Sequence, residues 1–230
     1  MGERYAVYHA PERDSELCRF GSCWLGRCAE TGEHPAHPDL PGLGFDDLHG
    51  LTSEPRHYGF HATLVPPFRL KAVHGVGDLL EHAIRFVRLR QSFDLPPLSV
   101  KEIGSFVAMV PSGQNGVAEL AADCVRSFFP FREEPTLAEM ERRRGKGLTP
   151  AQERLLVRWG YPYVFGEYRF HLTLTNSIMD KSLRRRLVKG LTELTAPLRR
   201  APQSVRELCI FHQTDEAAPF SLVHRIPFGA

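Results

Sequence analysis

Two segments of this chain share one pattern, Tyr-Gly-Phe-His-Ala-Thr-Leu at residues 58–64 and Tyr-Arg-Phe-His-Leu-Thr-Leu at residues 168–174. Each places an aromatic residue before His-x-Thr and a leucine after it. One copy lies in each half of the chain. The repetition indicates that the two halves follow one structural plan, with each segment on a strand.

The elements predicted around these segments occur in the same order in both halves: helix, His-x-Thr strand, helix and strands. We assign to the first half a strand over 4–9, a helix over 15–25, a long loop over 31–56, a strand over 58–65, a helix over 78–90 capped by Asp78, and strands within 98–110 broken at Gly104. We assign to the second half helices over 117–128 and 136–159, a strand region over 163–175, a helix over 180–195 capped by Asp180, and strands over 205–212 and 221–227.

Alternation along a strand divides each segment into two faces. His61 and Thr63 point one way, and His171 and Thr173 do the same in the second copy. The apolar residues between them point the other way, toward covering helices. A buried, unpaired imidazole or hydroxyl is costly. We therefore expect the two polar faces to meet at a shared concave surface.

Two histidines and two hydroxyls can together perform acid–base chemistry at phosphorus. Imidazole titrates near neutral pH, so one ring can accept a proton while the other donates one. Threonine hydroxyls can donate to non-bridging phosphate oxygens. Strand parity adds three candidate substrate-binding residues: Arg169 and Thr175 on the His171 face, and His57 on the His61 face. An arginine there could clamp an anionic oxygen.

Composition favours a small-molecule enzyme over a nucleic-acid or membrane binder. The 230 residues are 42% hydrophobic and 24% charged, with a net charge of +2, which is too small to indicate an RNA or membrane partner. No run is long and apolar enough to span a bilayer. The five cysteines lack zinc-site spacing, and reduced thiols in the cytoplasm are the expected state. The oligomeric state stays open.

The residues quoted above resemble the two-histidine (2H) phosphoesterase superfamily. Further stretches resemble one branch of it that is often encoded among bacterial phosphonate-degradation genes: Arg-Tyr-Ala-Val-Tyr-His-Ala-Pro from residue 4, Phe-Gly-Ser-Cys-Trp-Leu-Gly-Arg from residue 20 and Tyr-Gly-Phe-His-Ala-Thr-Leu-Val-Pro-Pro-Phe from residue 58. Val65 and Cys28 depart from the branch, which often has a basic and an acidic residue there. Ligand preference here is therefore expected to differ if either position contacts the ligand.

The resemblance implies a fold and an activity. The fold is α+β, with two pseudo-symmetric lobes around a central cleft, each an antiparallel sheet with covering helices. It forms a single domain over 1–230; independently of the resemblance, the extra helical piece over about 133–160 interrupts the second copy of the plan and is predicted to be an insertion. The activity is that of a cyclic phosphodiesterase, a hydrolase without metal or other cofactor, acting on a nucleotide or ribose cyclic phosphate. The catalytic residues implied are His61, His171, Thr63 and Thr173.

Two other functions remain open from the residues. A metal-dependent hydrolase would use His57, His61 and His171, but residues i and i+4 of one strand lie about 13 Å apart, too far to share an ion. A non-catalytic module could instead bind a phosphate ligand or an RNA end on the same scaffold. The glycines around Lys146 make the insertion a candidate lid.

Overall fold

The computed structural model describes residues 2–114, 116–145, 147–198 and 202–229. The strands in these ranges are β1 (Arg4–His9), β2 (Ala62–Phe68), β3 (Phe93–Leu95), β4 (Leu98–Ile103), β5 (Phe106–Pro111), β6 (Leu172–Thr173), β7 (Gln203–Val205), β8 (Glu207–Gln213) and β9 (Ser221–Pro227). The α-helices are α1 (Glu16–Leu25), α2 (Phe45–Leu51), α3 (Ser53–Tyr58), α4 (Val76–Val87), α5 (Val117–Phe128), α6 (Leu137–Arg144), α7 (Pro150–Trp159) and α8 (Lys181–Leu194). Across the described ranges, no helix has the length and apolar character to cross a membrane.

Two antiparallel sheets form the two lobes. The first has the strand order β2-β1-β8-β9 and the second has the order β4-β5-β6, while β3 and β7 form a short separate pair. The strands β2 and β6, which follow the two histidines, each lie at the edge of their sheet. Helices cover the apolar faces of the sheets. The predicted α+β fold of antiparallel sheets with covering helices is therefore confirmed.

The first sheet brings the two ends of the chain together. Strand β1 lies between β2 and β8, with Arg4 opposite Gln213 and Tyr8 opposite Cys209. The two predicted C-terminal strands thus belong to the lobe that contains the first histidine, not the second. Pairing between strands about 200 residues apart is decided by side-chain packing across the sheet.

Helix α1 packs against both His-x-Thr segments. The Ser15 side chain caps its first turn, and Gly26, at a φ of 68°, ends it in the left-handed conformation. In the middle of the helix, a Cβ atom on Gly21 would lie 1.9 Å from the Phe60 ring. Near its end, the buried Trp24 donates its indole N–H to the Leu174 carbonyl at 2.7 Å. Helix α1 therefore contacts both His-x-Thr segments and connects the two lobes.

Two local predictions in the first half are wrong. The loop predicted over 31–56 contains α2 and most of α3, because the Asp47 carboxylate accepts the Gly44 N–H at the start of α2 and Leu48 and Pro55 are buried. The strand predicted over 58–65 begins only at residue 62 and continues through two prolines to Phe68. Prolines are tolerated there because β2 is an edge strand.

Two further boundaries differ from the sequence prediction. Helix α4 begins before Asp78, whose carboxylate accepts the N–H of Gly75 from the third helical position, so Asp78 is not the cap residue. Of the strand region predicted over 163–175, only Leu172 and Thr173 pair with a neighbouring strand. Helices α6 and α7 lie within the range predicted as a helical insertion, and the insertion itself stays a prediction; its Lys146 lies outside the described residues.

We expect the substitution Gly21→Ala to destabilise the protein by about 1–3 kcal/mol, because the added methyl group overlaps the buried Phe60 ring. The matched control is Gly77→Ala in α4, where nothing lies within 4 Å and the better helix propensity of alanine should raise stability slightly. Urea denaturation measures both. Equal effects of the two substitutions would contradict the close packing of α1 on Phe60.

Candidate functional site

The two histidines are held in the same way at equivalent places, directly before β2 and β6. The Nδ1 atom of His61 lies 2.8 Å from the Gly59 carbonyl oxygen, and that of His171 lies 2.7 Å from the Arg169 carbonyl oxygen. Because a carbonyl only accepts hydrogen bonds, Nδ1 carries the proton in each neutral ring. In both rings Nε2 therefore carries the lone pair, and this atom can accept a proton.

The alternation of faces holds within both strands. Ala62, Leu64, Leu172 and Leu174 are buried, while both histidines and both threonines are partly exposed. The Thr63 hydroxyl lies 3.3 Å from Nε2 of His61. In the first segment the hydroxyl two residues after the histidine therefore lies beside its imidazole, and both threonines lie in edge strands.

The His61 ring stacks on Tyr8, a fully buried residue of β1. The ring centroids are 3.7 Å apart and the planes are inclined by 17°. The register of β1 and β2, with Tyr8 opposite Thr63, produces this contact. His171 lies against Phe106, with ring centroids 5.6 Å apart. An aromatic ring from the neighbouring strand therefore limits the movement of each imidazole.

Both imidazoles are weak bases in this environment. Burial lowers the pKa of His61 to about 4, opposed by the hydrogen bond from its ring to the Gly59 carbonyl and reinforced by positive charge on His171. Burial also lowers the pKa of His171. Both rings are consequently neutral at neutral pH, and they lie close enough for their charges to repel. A proton on His171 makes a second proton on His61 unfavourable.

Of the other three candidate residues, His57 and Thr175 do not lie where strand parity predicted. His57 is in α3, and its Nε2 atom lies 2.9 Å from the amide nitrogen of Gln213. Thr175 is buried, with its hydroxyl accepting the Val107 N–H and donating to the Asn176 carbonyl. The Arg169 side chain is exposed, and its carbonyl positions His171. Parity fails at His57 and Thr175 because they lie outside the paired strand residues. The role of all three residues in substrate binding stays a prediction.

Tyr8, Gly59 and Trp24 shape the site without having been identified from the sequence. Tyr8 lies in an apolar strand, so its sequence context indicates only a core residue. Gly59 has a φ of 80°, and a Cβ atom there would lie 2.4 Å from the Ala29 side chain. In the sequence, Gly59 stands where the second segment has Arg169. This difference is the one signal that the backbone conformation before His61 differs from that before His171.

The metal-dependent alternative gains no support from side-chain placement. Within residues 2–114, 116–145, 147–198 and 202–229, no group of three or more His, Cys, Asp or Glu side chains is arranged to hold a metal ion. His57, which that alternative requires, lies on a helix against Gln213.

The fold and the site define an α+β protein with paired His and Thr side chains at the edges of two sheets. Residues 63–221 match the family described as "Protein of unknown function (DUF1045)", and the chain belongs to this family. The matched range contains Thr63, His171 and Thr173. The likeness to two-histidine phosphoesterases continues to rest on the sequence motifs alone.

Two curated relatives carry the name "Ribose 1,5-bisphosphate phosphokinase PhnN". The protein from Janthinobacterium sp. (strain Marseille) is 36% identical over 230 residues, which cover 98% of this chain and 51% of the relative. The protein from Laribacter hongkongensis (strain HLHK9) is 33% identical over 222 residues, which cover 95% of this chain and 50% of the relative. The chain thus spans about half the length of the curated relatives it matches.

The relatives correct the expected enzyme class. The sequence motifs implied a cyclic phosphodiesterase, which is a hydrolase, whereas both relatives are named as a phosphokinase. A kinase transfers a phosphoryl group to an acceptor and does not open a cyclic diester with water. The expectation of a cyclic phosphodiesterase is therefore wrong. It failed because paired acid–base groups serve many phosphorus chemistries and do not specify one.

We expect Tyr8→Leu to raise the pKa of His61 from about 4 toward its ordinary value near 6.5, because water would reach the ring face that Tyr8 now covers. The control is Phe106→Leu, which changes the surroundings of His171 and should leave His61 closer to its original pKa. NMR titration of the imidazole resonances measures both. An unchanged pKa of His61 in Tyr8→Leu would show that Tyr8 does not desolvate it.

Proposed function

We propose that this chain catalyses phosphoryl transfer involving a ribose phosphate, with His61 and His171 as the proton-transfer pair. The carrying observation is the matched arrangement of the two imidazoles, each fixed through Nδ1 by the carbonyl two residues earlier, with Nε2 of His61 3.3 Å from the Thr63 hydroxyl. The name of the relatives supports a ribose phosphate as the substrate class. The resemblance to the phosphonate-associated branch supports a place in phosphonate metabolism.

His61 is the better general base of the pair. Its depressed pKa keeps it neutral over the whole physiological range, and its Nε2 lone pair, 3.3 Å from the Thr63 hydroxyl, can accept a proton. In the proposed step, it takes the proton from the acceptor hydroxyl as that oxygen attacks phosphorus. The nearby Thr63 hydroxyl would donate to a non-bridging oxygen of the transferring group.

His171 would act as the general acid. A bound phosphate is anionic, so it favours the protonated form of a nearby imidazole and raises its pKa. Mutual repulsion then keeps His61 neutral, and the pair holds one proton. His171 would give this proton to the oxygen of the phosphoryl donor, whose bond to phosphorus breaks as the acceptor oxygen forms the new one, and Thr173 would bind a second non-bridging oxygen. This step requires no metal ligand from the chain.

The roles of His61 and His171 concern proton transfer at phosphorus and do not include the binding of a nucleotide. The sequence contains no Gly-x-x-x-x-Gly-Lys-Ser/Thr motif, the pattern of a loop that cradles nucleotide phosphates. The relatives are about twice as long as the matched region. Nucleotide binding is therefore not assigned to these residues.

We expect His61→Gln and His171→Gln each to reduce the turnover of ribose 1,5-bisphosphate by about 10²–10⁴-fold, the usual contribution of a positioned acid or base. Phosphorus NMR follows the substrate with and without ATP and magnesium. The control is His224→Gln, on an exposed position of β9. Wild-type turnover in either site variant would contradict the proposal, as would the absence of any conversion by the unmodified chain under both conditions.

The assigned roles also predict a mildly acidic optimum. His61 must be neutral, so kcat/KM should fall below about pH 4, the pKa of this residue in the free protein. His171 must be protonated, so kcat/KM should fall again above its lowered pKa, which is under 6.5. A pH profile of kcat/KM is the measurement. If kcat/KM reached its plateau only above pH 8, the assignment of His61 as the base and His171 as the acid would be excluded.

A further inference from the structure

A buried arginine at the start of the helical insertion lacks any negative partner. Arg132 is 7% exposed, and its Nε and Nη1 atoms have no hydrogen-bond partner. Among the residues that the structure describes, no carboxylate forms an ion pair with it. Burying a guanidinium without acceptors is costly, so an unpaired one in a folded protein calls for an explanation.

The backbone holds Arg132 firmly in place. It forms an isolated bridge with Leu70, just beyond the end of β2, and the neighbouring Glu133 N–H donates to the Arg69 carbonyl at 2.8 Å. The position of this side chain is therefore set by the sheet and not by a free loop.

A second arginine, Arg143, lies near the Arg132 guanidinium. Arg143 of α6 donates from Nη1 to the Gly160 carbonyl at 2.6 Å, and a Cβ atom on Gly160 would lie 3.5 Å from Nη2 of Arg132. The two guanidinium groups thus meet around one glycine. Positive charge on Arg143 and burial together lower the pKa of Arg132 to about 10, with burial the larger cause.

Two carboxylates of this segment form ion pairs with a third arginine, although the charge of Glu139 also acts on Arg143. Arg69 binds Glu133 at 3.0 Å and Glu139 at 2.9 Å. On the other sides lie aromatic rings, with Phe68 5.9 Å from the Arg132 guanidinium carbon and Tyr161 5.5 Å from that of Arg143. Such apolar walls reduce the screening of charge, so an anion placed between the two arginines would be held strongly.

We propose that Arg132 and Arg143 form a binding site for a phosphate-class oxyanion beside Gly160. The planar guanidinium of Arg132 can donate two hydrogen bonds to two oxygens of one tetrahedral oxyanion. The positive charge of Arg143 would neutralise the remaining negative charge of that anion. The site is distinct from the histidine pair, because β2 runs about 20 Å from Ala62 to Phe68. The anion is thus a second ligand, and the inference does not depend on the proposed function.

The test is calorimetric titration with inorganic phosphate in the double variant His61→Gln/His171→Gln, which leaves the arginine site intact. We expect one bound phosphate, and at least tenfold weaker binding after the further substitution Arg132→Met or Arg143→Gln. The matched control is Arg142→Gln, an exposed arginine on the same helix, which should bind phosphate as before. Removal of the unpaired charge should also leave the phosphate-free Tm of Arg132→Met equal or higher.

Either of two results would overturn the inference: no phosphate binding by the double variant, or unchanged affinity in Arg132→Met. If Arg132→Met fails to fold, Arg132→Lys keeps the charge and removes the fork, and it should weaken phosphate binding while the circular dichroism spectrum is retained. Unchanged affinity in a folded Arg132→Lys would equally overturn it. Loss of catalysis in the histidine variants together with retained phosphate binding separates this site from the proposed active site.

Discussion

Helix α1 is the element on which the arrangement of the two lobes depends. It has no side chain at Gly21, so the Phe60 ring lies directly on its backbone, and three residues later Trp24 donates its indole N–H to the Leu174 carbonyl. Phe60 precedes the first histidine and Leu174 follows the second threonine. A buried indole N–H needs an acceptor, so the position of the second segment is tied to that of the helix. The helix thereby fixes both histidine segments relative to each other.

On this frame, the same local device orients each imidazole. The carbonyl two residues before the histidine takes the Nδ1 proton, and an aromatic ring of the neighbouring strand lies against the imidazole. Burial then lowers the pKa of both rings, more clearly at His61. Two neutral imidazoles that repel each other's protons suit chemistry in which one proton moves across a phosphate. Such a pair does not by itself select a reaction, which is why the kinase name of the relatives corrected the enzyme class.

The segment that contains Arg132 and α6 contributes the positive charge of arginines, in contrast to the titratable imidazoles of the histidine pair. Around the histidines, polar groups have partners and the charge is adjustable, since imidazole titrates. Around Gly160 lie two guanidinium groups, and among the described residues no carboxylate forms an ion pair with the buried Arg132. The first arrangement suits proton transfer and the second suits holding an anion. Their separation along β2 is the reason why the proposed anion site is distinct from the histidine pair.

The sequence by itself determined the features that depend on local periodicity. The division of His61, Thr63, Ala62 and Leu64 between two faces follows from the two-residue repeat of a strand, and the helices from Glu16, Val117 and Lys181 follow from apolar spacing and caps. Tertiary structure alone decided which strands pair, that β8 returns to β1, that Tyr8 covers His61, and that Thr175 and His57 bond to protein groups. These contacts join residues far apart in the chain, and local repeats carry no information about such pairing. For the same reason, Arg132 could not be identified from the sequence, because its lack of an ion-pair partner among the described residues depends on the packed fold.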